Sequence, residues 1–255
     1  MKILYFTATG NSLAVAKAIG GELFSIPQLV REARYDVQDD EAIGLVFPVY
    51  AFQIPKIVRE FLRQATLQAP YLFAVGTYGN YAGQAMANFQ RYATQCGFHF
   101  QYANALLMVD NYLNLFDIDK QIQKLPSKHI EENLRKIKQD VENRVEYTPD
   151  NSLVTQVLNL LVKPEVAKID GGEADRQFRV NQDCVRCGVC AKVCPSGNIT
   201  VTDHVAFSHH CLSCYACLHA CPRNALHLKH ERSSRRWRNP DVTLAELIKA
   251  NNRPS

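Results

Sequence analysis

The sequence predicts an α/β protein in two parts: a doubly wound parallel sheet, followed by a small α+β module that is rich in cysteine. Continuous apolar runs alternate with helical patterns over residues 1–147, as expected for parallel strands that are buried on both faces. Eight of the nine cysteines then lie between Cys184 and Cys221. We therefore expect two domains, with their boundary before Cys184.

The strands of the first domain are predicted from its apolar runs, which are Lys2–Phe6, Glu22–Ile26, Ala42–Phe47, Tyr71–Val75 and a run near Phe98–Val109. Its helices are predicted at Ser12–Gly20, Pro55–Ala65, Ala82–Cys96 and the charged stretch Ile118–Tyr147. Repeated strand–helix units place helices on both faces of a parallel sheet. The first domain is thus expected to span residues 1–147.

Residues 148–177 are expected to form a helical linker. Asn151–Val162 has a helical pattern that Pro164 is expected to end, and Gly171-Gly172 indicates a flexible connection. The cysteine module is expected to follow over residues 178–228.

Residues 229–255 are predicted to hold a basic stretch and a final helix. The basic stretch, Lys229–Arg238, fits either a docking site for an acidic partner or a solvated linker. Thr243 and Glu246 are spaced as a capping box, and Val242 and Leu247 as a hydrophobic staple. We expect this capped helix to dock on the first domain.

Composition and charge indicate a folded protein without a membrane span. Hydrophobic residues make up 47% and charged residues 21% of the chain, which excludes disordered and collagen-like classes. The net charge of +4 is too small to indicate nucleic-acid binding. No apolar stretch reaches the roughly 20 residues that cross a bilayer. We therefore expect a cytoplasmic protein that neither inserts into a membrane nor binds nucleic acid.

The cysteines form two runs, CVRCGVCAKVCP from Cys184 and CLSCYACLHACP from Cys211. Each run is C-x2-C-x2-C-x3-C-P, the arrangement of bacterial two-cluster ferredoxins, in which the fourth cysteine of a run ligates the other cluster. The first [4Fe-4S] cluster is thereby assigned to Cys184, Cys187, Cys190 and Cys221. The second is assigned to Cys211, Cys214, Cys217 and Cys194. No ligand is missing, so we expect both clusters to carry electrons.

Other interpretations of the cysteine module are weaker. Two zinc sites also use eight cysteines, but zinc ribbons rarely contain two identical runs ending in proline. Disulfides are unexpected in the cytoplasm. His209-His210 adjoin a ligand and are interpreted as surface residues, and Cys96 as a small core residue.

The loop Thr7–Ser12 follows the first strand directly and precedes a helix, which is the layout of a phosphate site. It lacks the Gly-Lys-Ser/Thr of an ATP-binding loop and the three glycines of a dinucleotide fold. It also lacks Lys and Arg, so a phosphate there is held by neutral donors and a helix dipole. These donors are the hydroxyls of Thr7, Thr9 and Ser12, the amide of Asn11 and backbone N–H groups freed by Gly10.

Two further loops at the same edge of the sheet carry aromatic residues, which are Tyr50, Phe52, Tyr78 and Tyr81. Aromatic side chains beside a phosphate site can sandwich a flat ring. Flavin mononucleotide has one terminal phosphate and one planar redox-active ring, so FMN fits both features. A generic anion loop remains the alternative interpretation.

The motifs FTATGNS, GTYGNYAG and VDNY, together with the two cysteine runs, resemble the EFR-type ferrodoxins. These are flavodoxin–ferredoxin fusion proteins of anaerobic bacteria and archaea, and the resemblance covers nearly the whole chain. It implies a flavodoxin-like domain that binds FMN beside a two-cluster ferredoxin domain. It implies phosphate contacts from Thr7, Thr9, Gly10, Asn11 and Ser12. It implies contacts to the ring from Tyr78, Gly79, Asn80, Tyr81 and Gly83, with Asn111 and Tyr112 at the same mouth.

Together these features predict electron transfer between FMN and two [4Fe-4S] clusters, and onward to a redox partner protein. FMN exchanges one or two electrons, whereas each cluster passes one. Two alternatives remain open: a flavin-dependent reductase that acts on a small substrate, or a ferredoxin whose sheet domain is a flavin-free docking scaffold. No catalytic triad or carboxylate pair is evident, so no catalytic residue is assigned.

Overall fold

The computed structural model describes residues 1–149 and 163–251. The strands of its central sheet are β1 (Lys2–Tyr5), β2 (Glu22–Ser25), β4 (Ile43–Pro48), β6 (Leu72–Tyr78) and β7 (Tyr102–Leu107). Within the described residues this sheet is parallel and five-stranded, in the order β2-β1-β4-β6-β7. That is the 2-1-3-4-5 order of flavodoxin-like doubly wound folds. The predicted fold class of the first domain is confirmed.

The helices of this domain are α1 (Asn11–Ile19), α2 (Ile26–Arg31), α3 (Lys56–Gln64), α4 (Ala85–Gln95), α5 (Ile118–Gln123) and α6 (Ile130–Glu142). The central strands are buried along nearly their whole length because helices cover both faces of the sheet. Two short strands, β3 (Asp36–Gln38) and β5 (Thr66–Gln68), pair separately.

The single helix predicted for Ile118–Tyr147 is wrong. A 3₁₀ turn, Leu125–Lys128, separates α5 from α6, because Pro126 cannot continue an α-helical hydrogen-bond ladder. His129 then adopts a left-handed conformation with φ of 47°. The end of the stretch is extended, and Tyr147 accepts a hydrogen bond from the amide of Ala103 (2.8 Å).

The linker is packed where the structure describes it. Helix α7 (Lys163–Asp170) is tied to α3 by an ion pair of 2.6 Å between Arg59 and Asp170. The predicted helix Asn151–Val162 lies outside the described residues. At Gly171-Gly172, where a flexible connection is expected, Gly172 is buried and its carbonyl accepts the amide of Cys211 (2.8 Å).

The cysteine module is a small α+β unit. It contains β8 (Phe178–Val180), α8 (Val189–Lys192), β9 (Ile199–Val201), β10 (Val205–Phe207), α9 (Ala216–Ala220) and β11 (Leu226–Leu228). The pairs β8–β11 and β9–β10 are antiparallel. The predicted α+β class of this module is confirmed.

The two cysteine runs repeat each other in backbone conformation. Left-handed residues stand at matching positions, two, four and thirteen residues after the first cysteine of each run; the pairs are Arg186 and Ser213, Gly188 and Tyr215, Gly197 and Asn224. The fourth cysteine of each run also accepts an amide hydrogen bond of 3.2 Å from the residue four positions later. The internal repeat therefore extends past each Cys-Pro.

Residues 229–238 contact the first domain instead of forming a solvated linker. The amide of Arg232 donates to the carbonyl of Leu113 (2.8 Å), and Arg235 forms an ion pair with Asp119. Arg236 is paired with Glu231 within the stretch itself (3.0 Å). Several of the basic side chains thus have structural partners.

The last helix, α10 (Leu244–Asn251), begins with the predicted capping box. The amide of Thr243 donates to Glu246 (2.7 Å), and the amide of Glu246 donates to the Thr243 hydroxyl (3.2 Å). The helix packs on α2 of the first domain and on α8 of the cysteine module. No helix within the described ranges is long and apolar enough to cross a membrane.

Candidate cofactor sites

A cavity of about 340 Å³ opens where β1, β4 and β6 end, a volume within the usual range for ligand sites. Loops that follow these strands line it, together with the segment after β7. The structure brings together in its wall the predicted residues Thr7, Thr9, Asn11, Ser12, Tyr50, Phe52, Tyr78, Gly79, Asn80, Tyr81, Asn111 and Tyr112. These residues come from four separate parts of the chain, so the sheet topology alone has gathered them.

Two of the predicted residues, Gly10 and Gly83, are not part of the cavity wall. Gly10 precedes α1 with φ of 104°, and a Cβ there would lie 3.0 Å from the Cβ of Asn239. Gly83 has φ of 55°, and a Cβ there would lie 2.9 Å from the ring of Phe52. Both glycines therefore shape the loops by close packing.

The loop after β1 presents buried hydroxyls without a counter-charge. Thr7, Thr9 and Ser12 are all at most 3% exposed. Thr7 Oγ1 accepts the amide of Gly10 (3.2 Å), which leaves its own proton to donate. No side chain caps the first turn of α1, and no basic residue is among the described residues that line the cavity. Ser12 Oγ also lies 2.9 Å from Thr77 Oγ1, another neutral hydroxyl. The free amides and these uncharged hydroxyls fit an anion held by neutral donors.

Asn11 and Asn111 connect the loops of the cavity to each other. Asn11 Nδ2 donates to the carbonyl of Val109 (3.2 Å), and its Oδ1 accepts from Asn239 (3.2 Å). Asn111 Nδ2 donates to the hydroxyl of Thr9. The Asn11 side chain thus has a bracing role that the sequence did not predict.

The aromatic residues of the second and third loops meet across the cavity. The rings of Phe52 and Tyr81 pack edge to face at 5.6 Å. Phe52 and Ala51 both have left-handed backbones, with φ of 62° and 45°, in a tight turn closed by hydrogen bonds between Tyr50 and Gln53. This turn is strained, because bulky residues disfavour positive φ.

A buried lysine that the sequence did not reveal holds two walls of the cavity. Lys128 Nζ donates to the carbonyls of Gly79 (2.5 Å) and Met108 (2.6 Å). Asp110, inside the VDNY motif, accepts from Asn80 (2.8 Å) and from the amide of Tyr112 (3.0 Å). Burial raises the pKa of Asp110 and lowers that of Lys128.

The eight clustered cysteines frame two smaller cavities. One is lined by Cys184, Cys187, Cys190 and Cys221. The other is lined by Cys194, Cys211, Cys214 and Cys217. We call these the outer and the inner cysteine set, since Cys187 is exposed whereas all four members of the inner set are buried. The crossed grouping that the spacing predicts is also the grouping in space.

The chemistry of the thiols fits a cationic centre in each set. Burial raises the pKa of Cys190 to about 11 and of Cys211 to about 12, and neighbouring cysteines add to the effect. Such thiols become thiolates when a metal centre ligates them. Backbone amides already point at sulfur, as in the 3.4 Å contact from Ser213 to Cys211 Sγ. Among the described residues no three His, Cys, Asp or Glu converge on a single metal ion.

The inner set adjoins the large cavity. Cys214 and Tyr215 line both spaces. The ring of Tyr215 stacks on Tyr112 at 5.6 Å, and its hydroxyl donates to Asn114 (2.5 Å). Tyr215 holds φ of 56° where the first run has Gly188. The second run therefore has a strained backbone at Tyr215, the residue that contacts the first domain.

His219 of α9 makes a second connection between the two domains. The amide of Trp237 donates to its Nδ1 (3.1 Å), so Nε2 carries the proton and donates to the carbonyl of Asn111 (2.9 Å). Burial lowers the pKa of His219 to about 4, which keeps the ring neutral. These two hydrogen bonds of His219 therefore fix the position of the cysteine module against the mouth of the large cavity.

Comparisons with known proteins assign the second domain. Residues 161–240 match the family described as 4Fe-4S dicluster domain. The polyferredoxin protein MvhB of Methanothermus fervidus is 39% identical over 69 residues, which is 27% of this chain and 14% of that protein. The chain thus spans about one seventh of the length of this curated relative.

Solved structures similar to the first domain include a putative flavoprotein from Bacteroides uniformis. It is 15% identical with a TM-score of 0.32, over 42% of this chain and 90% of that chain. A second is Megasphaera elsdenii flavodoxin, 16% identical with a TM-score of 0.31, over 43% of this chain and 88% of that chain. The strand order remains the basis for the fold assignment. The protein combines a flavodoxin-like sheet domain with a 4Fe-4S dicluster domain.

Proposed function

We propose that this protein is an electron-transfer iron-sulfur flavoprotein of the flavodoxin–ferredoxin fusion type. FMN occupies the large cavity, and the inner and outer cysteine sets each hold one [4Fe-4S] cluster. The observation that carries this proposal is the shared wall of Cys214 and Tyr215 between the large cavity and the inner set. A redox ligand in the cavity then lies beside the inner cluster.

Different residues of the cavity would contact the phosphate and the ring of FMN. The hydroxyls of Thr7, Thr9 and Ser12 would donate hydrogen bonds to the phosphate, and the first amides of α1 would add the positive end of the helix dipole. Phe52 and Tyr81 lie where they can cover the ring. FMN supplies one-electron and two-electron chemistry when bound. The protein orients the ring and excludes water with these apolar walls.

The difference in burial between the inner and outer cysteine sets indicates the order in which electrons would pass between the sites. The inner set adjoins the large cavity and is buried, whereas Cys187 of the outer set reaches the surface. The inner set would therefore hold the cluster that exchanges electrons with a flavin in the cavity, and the outer set would hold the cluster that exchanges electrons with other proteins.

Cofactor content tests this function. Protein purified anaerobically and reconstituted is expected to release one FMN on acid treatment and to contain about eight irons per chain. Both are measured on the same sample, by fluorescence of the released flavin and by colorimetric iron analysis. Protein with the irons but no FMN would contradict the proposal in favour of a flavin-free docking domain. Turnover of a small substrate by the loaded protein would favour a reductase instead.

The surface beside the outer set fits an acidic redox protein as partner. Val185 is 59% exposed next to the exposed ligand Cys187. Arg186 and Arg223 line the same cavity and are both exposed. Neither arginine is paired with a carboxylate in the described part of the chain, which leaves both charges for a partner. An apolar centre with basic neighbours is complementary to an acidic rim around a partner's cofactor.

Reversal of one charge tests this surface. Arg223→Glu is expected to slow electron exchange with a small acidic ferredoxin several-fold, because a rim charge acts mainly on the association rate. Stopped-flow rates at increasing salt measure the effect, and the variant is expected to depend less on salt. Arg135→Glu on α6 makes the same charge change on the first domain. Equal rates for the two variants would exclude the outer face as the docking surface.

A further inference from the structure

The hydroxyl of Tyr50 is a buried donor without a hydrogen-bond partner in the described residues. Buried hydroxyls nearly always have a partner, so each exception calls for an explanation. The ring of Tyr50 packs against the edge of Phe6 at 6.4 Å and lines the large cavity. The hydroxyl is therefore fixed in place with its proton unused.

The inner cysteine set reaches the wall of the cavity that Tyr50 lines. Cys214 shares the wall of the large cavity with Tyr50. Burial raises the pKa of Tyr50, and Cys214, Cys211 and Tyr215 raise it further. Tyr50 thus belongs to the boundary between the flavin cavity and the inner set.

The local backbone is built to hold Tyr50 there. Ala51 and Phe52 accept left-handed conformations so that the chain reverses directly after Tyr50. The carbonyl of Phe52 accepts from Asn88 (3.1 Å), and Gly83 leaves room for the Phe52 ring. A strained turn persists only where its surroundings fix it, and here those surroundings fix the position of Tyr50.

We propose that Tyr50 donates its hydroxyl proton in a hydrogen bond to a sulfur of the inner cluster and thereby raises the reduction potential of that cluster. The inference rests on the proposed function, because it requires the cluster. A donor to cluster sulfur stabilises the more negative, reduced form, and such hydrogen bonds are a principal means of setting cluster potentials.

Within the described residues, no serine, threonine or tyrosine lines the cavity of the outer set, and valines and Leu226 form much of its wall. The inner set, by contrast, shares Cys214 with the large cavity that Tyr50 lines. The hydrogen bond therefore gives the two clusters different reduction potentials, although their ligands are similar. The inner cluster, next to the flavin, is then the more easily reduced of the two.

Tyr50→Phe tests the inference, with Tyr147→Phe as the matched control in the same domain. Tyr147 is 46% exposed and does not line the large cavity. Redox titration followed by EPR is expected to show a lower potential for one cluster in the Tyr50 variant, with the other cluster and the flavin unchanged. Tyr147→Phe is expected to leave both cluster potentials at the wild-type values.

A second measurement identifies the bond and the cluster. Pulsed EPR of reduced protein in D2O is expected to lose one exchangeable deuteron coupling in Tyr50→Phe, also in a Cys187→Ala background in which the outer cluster is removed. Unchanged cluster potentials overturn the inference. A shift confined to the flavin potential also overturns it, because the hydroxyl then serves the flavin. Protein that binds no clusters at all would refute the proposed function instead.

Discussion

Replacing Cys217 with alanine is expected to abolish electron transfer out of the flavin, whereas Cys187→Ala is expected to abolish only the transfer to a partner. Each variant loses one cluster and therefore about four irons. They differ because Cys217 belongs to the buried inner set and Cys187 to the exposed outer set. The two variants thus interrupt the proposed route at different points.

Photoreduction of the bound flavin, followed by the bleaching of cluster absorbance, measures the first step. Cys187→Ala is expected to keep this step at close to the wild-type rate and to lose the reduction of an acidic ferredoxin. Cys217→Ala is expected to lose both. If Cys187→Ala stopped the first step while Cys217→Ala preserved it, the order of the clusters would be reversed.

Leu247→Ala is expected to lower both the stability of the protein and its FMN content. Leu247 is fully buried in α10, and removing such a side chain costs about 2–5 kcal/mol of unfolding free energy. The same segment holds the loop Thr7–Ser12, since the amide of Asn239 donates to the carbonyl of Thr9 (2.8 Å) and Asn251 donates to that of Thr7 (3.2 Å). Loosening the helix therefore loosens the anion site.

Denaturant unfolding and a flavin-binding titration measure the two effects. Leu244→Ala is the matched control, because Leu244 lies on the same helix and is only partly buried. It is expected to change both quantities much less. A Leu247 variant that lost stability but bound FMN with wild-type affinity would show that the terminal helix does not support the flavin site.

The features that could be predicted from sequence depend on spacing and on strand order. The grouping of Cys221 with the first run and Cys194 with the second follows from one repeated pattern. The loop Thr7–Ser12 reaches the large cavity because a parallel sheet brings the ends of its strands to one edge. Both inferences need only local pattern and general topology.

The features that were missed depend on contacts between distant segments. Lys128 lies in a charged stretch that has a helical pattern, and only the break at Pro126 turns it inward to the cavity. Tyr215 carries no signal of its strained backbone, since one residue type gives no indication of a positive φ. Asn239 contacts Asn11 in the loop Thr7–Ser12, more than two hundred residues away in the sequence. No local pattern encodes such a pairing.

The contact of the terminal segment with the loop Thr7–Ser12 has a consequence for biosynthesis. Domains generally fold as they leave the ribosome, N-terminal first, so the sheet forms while Asn239 and Asn251 have not yet been made. These residues are synthesised only after the whole cysteine module. If FMN binds as proposed, we expect the nascent sheet domain to hold it weakly and to bind it tightly only after the cysteine module has been synthesised. In the cell, this order would limit the time during which a redox-active flavin is bound without the cysteine module beside it.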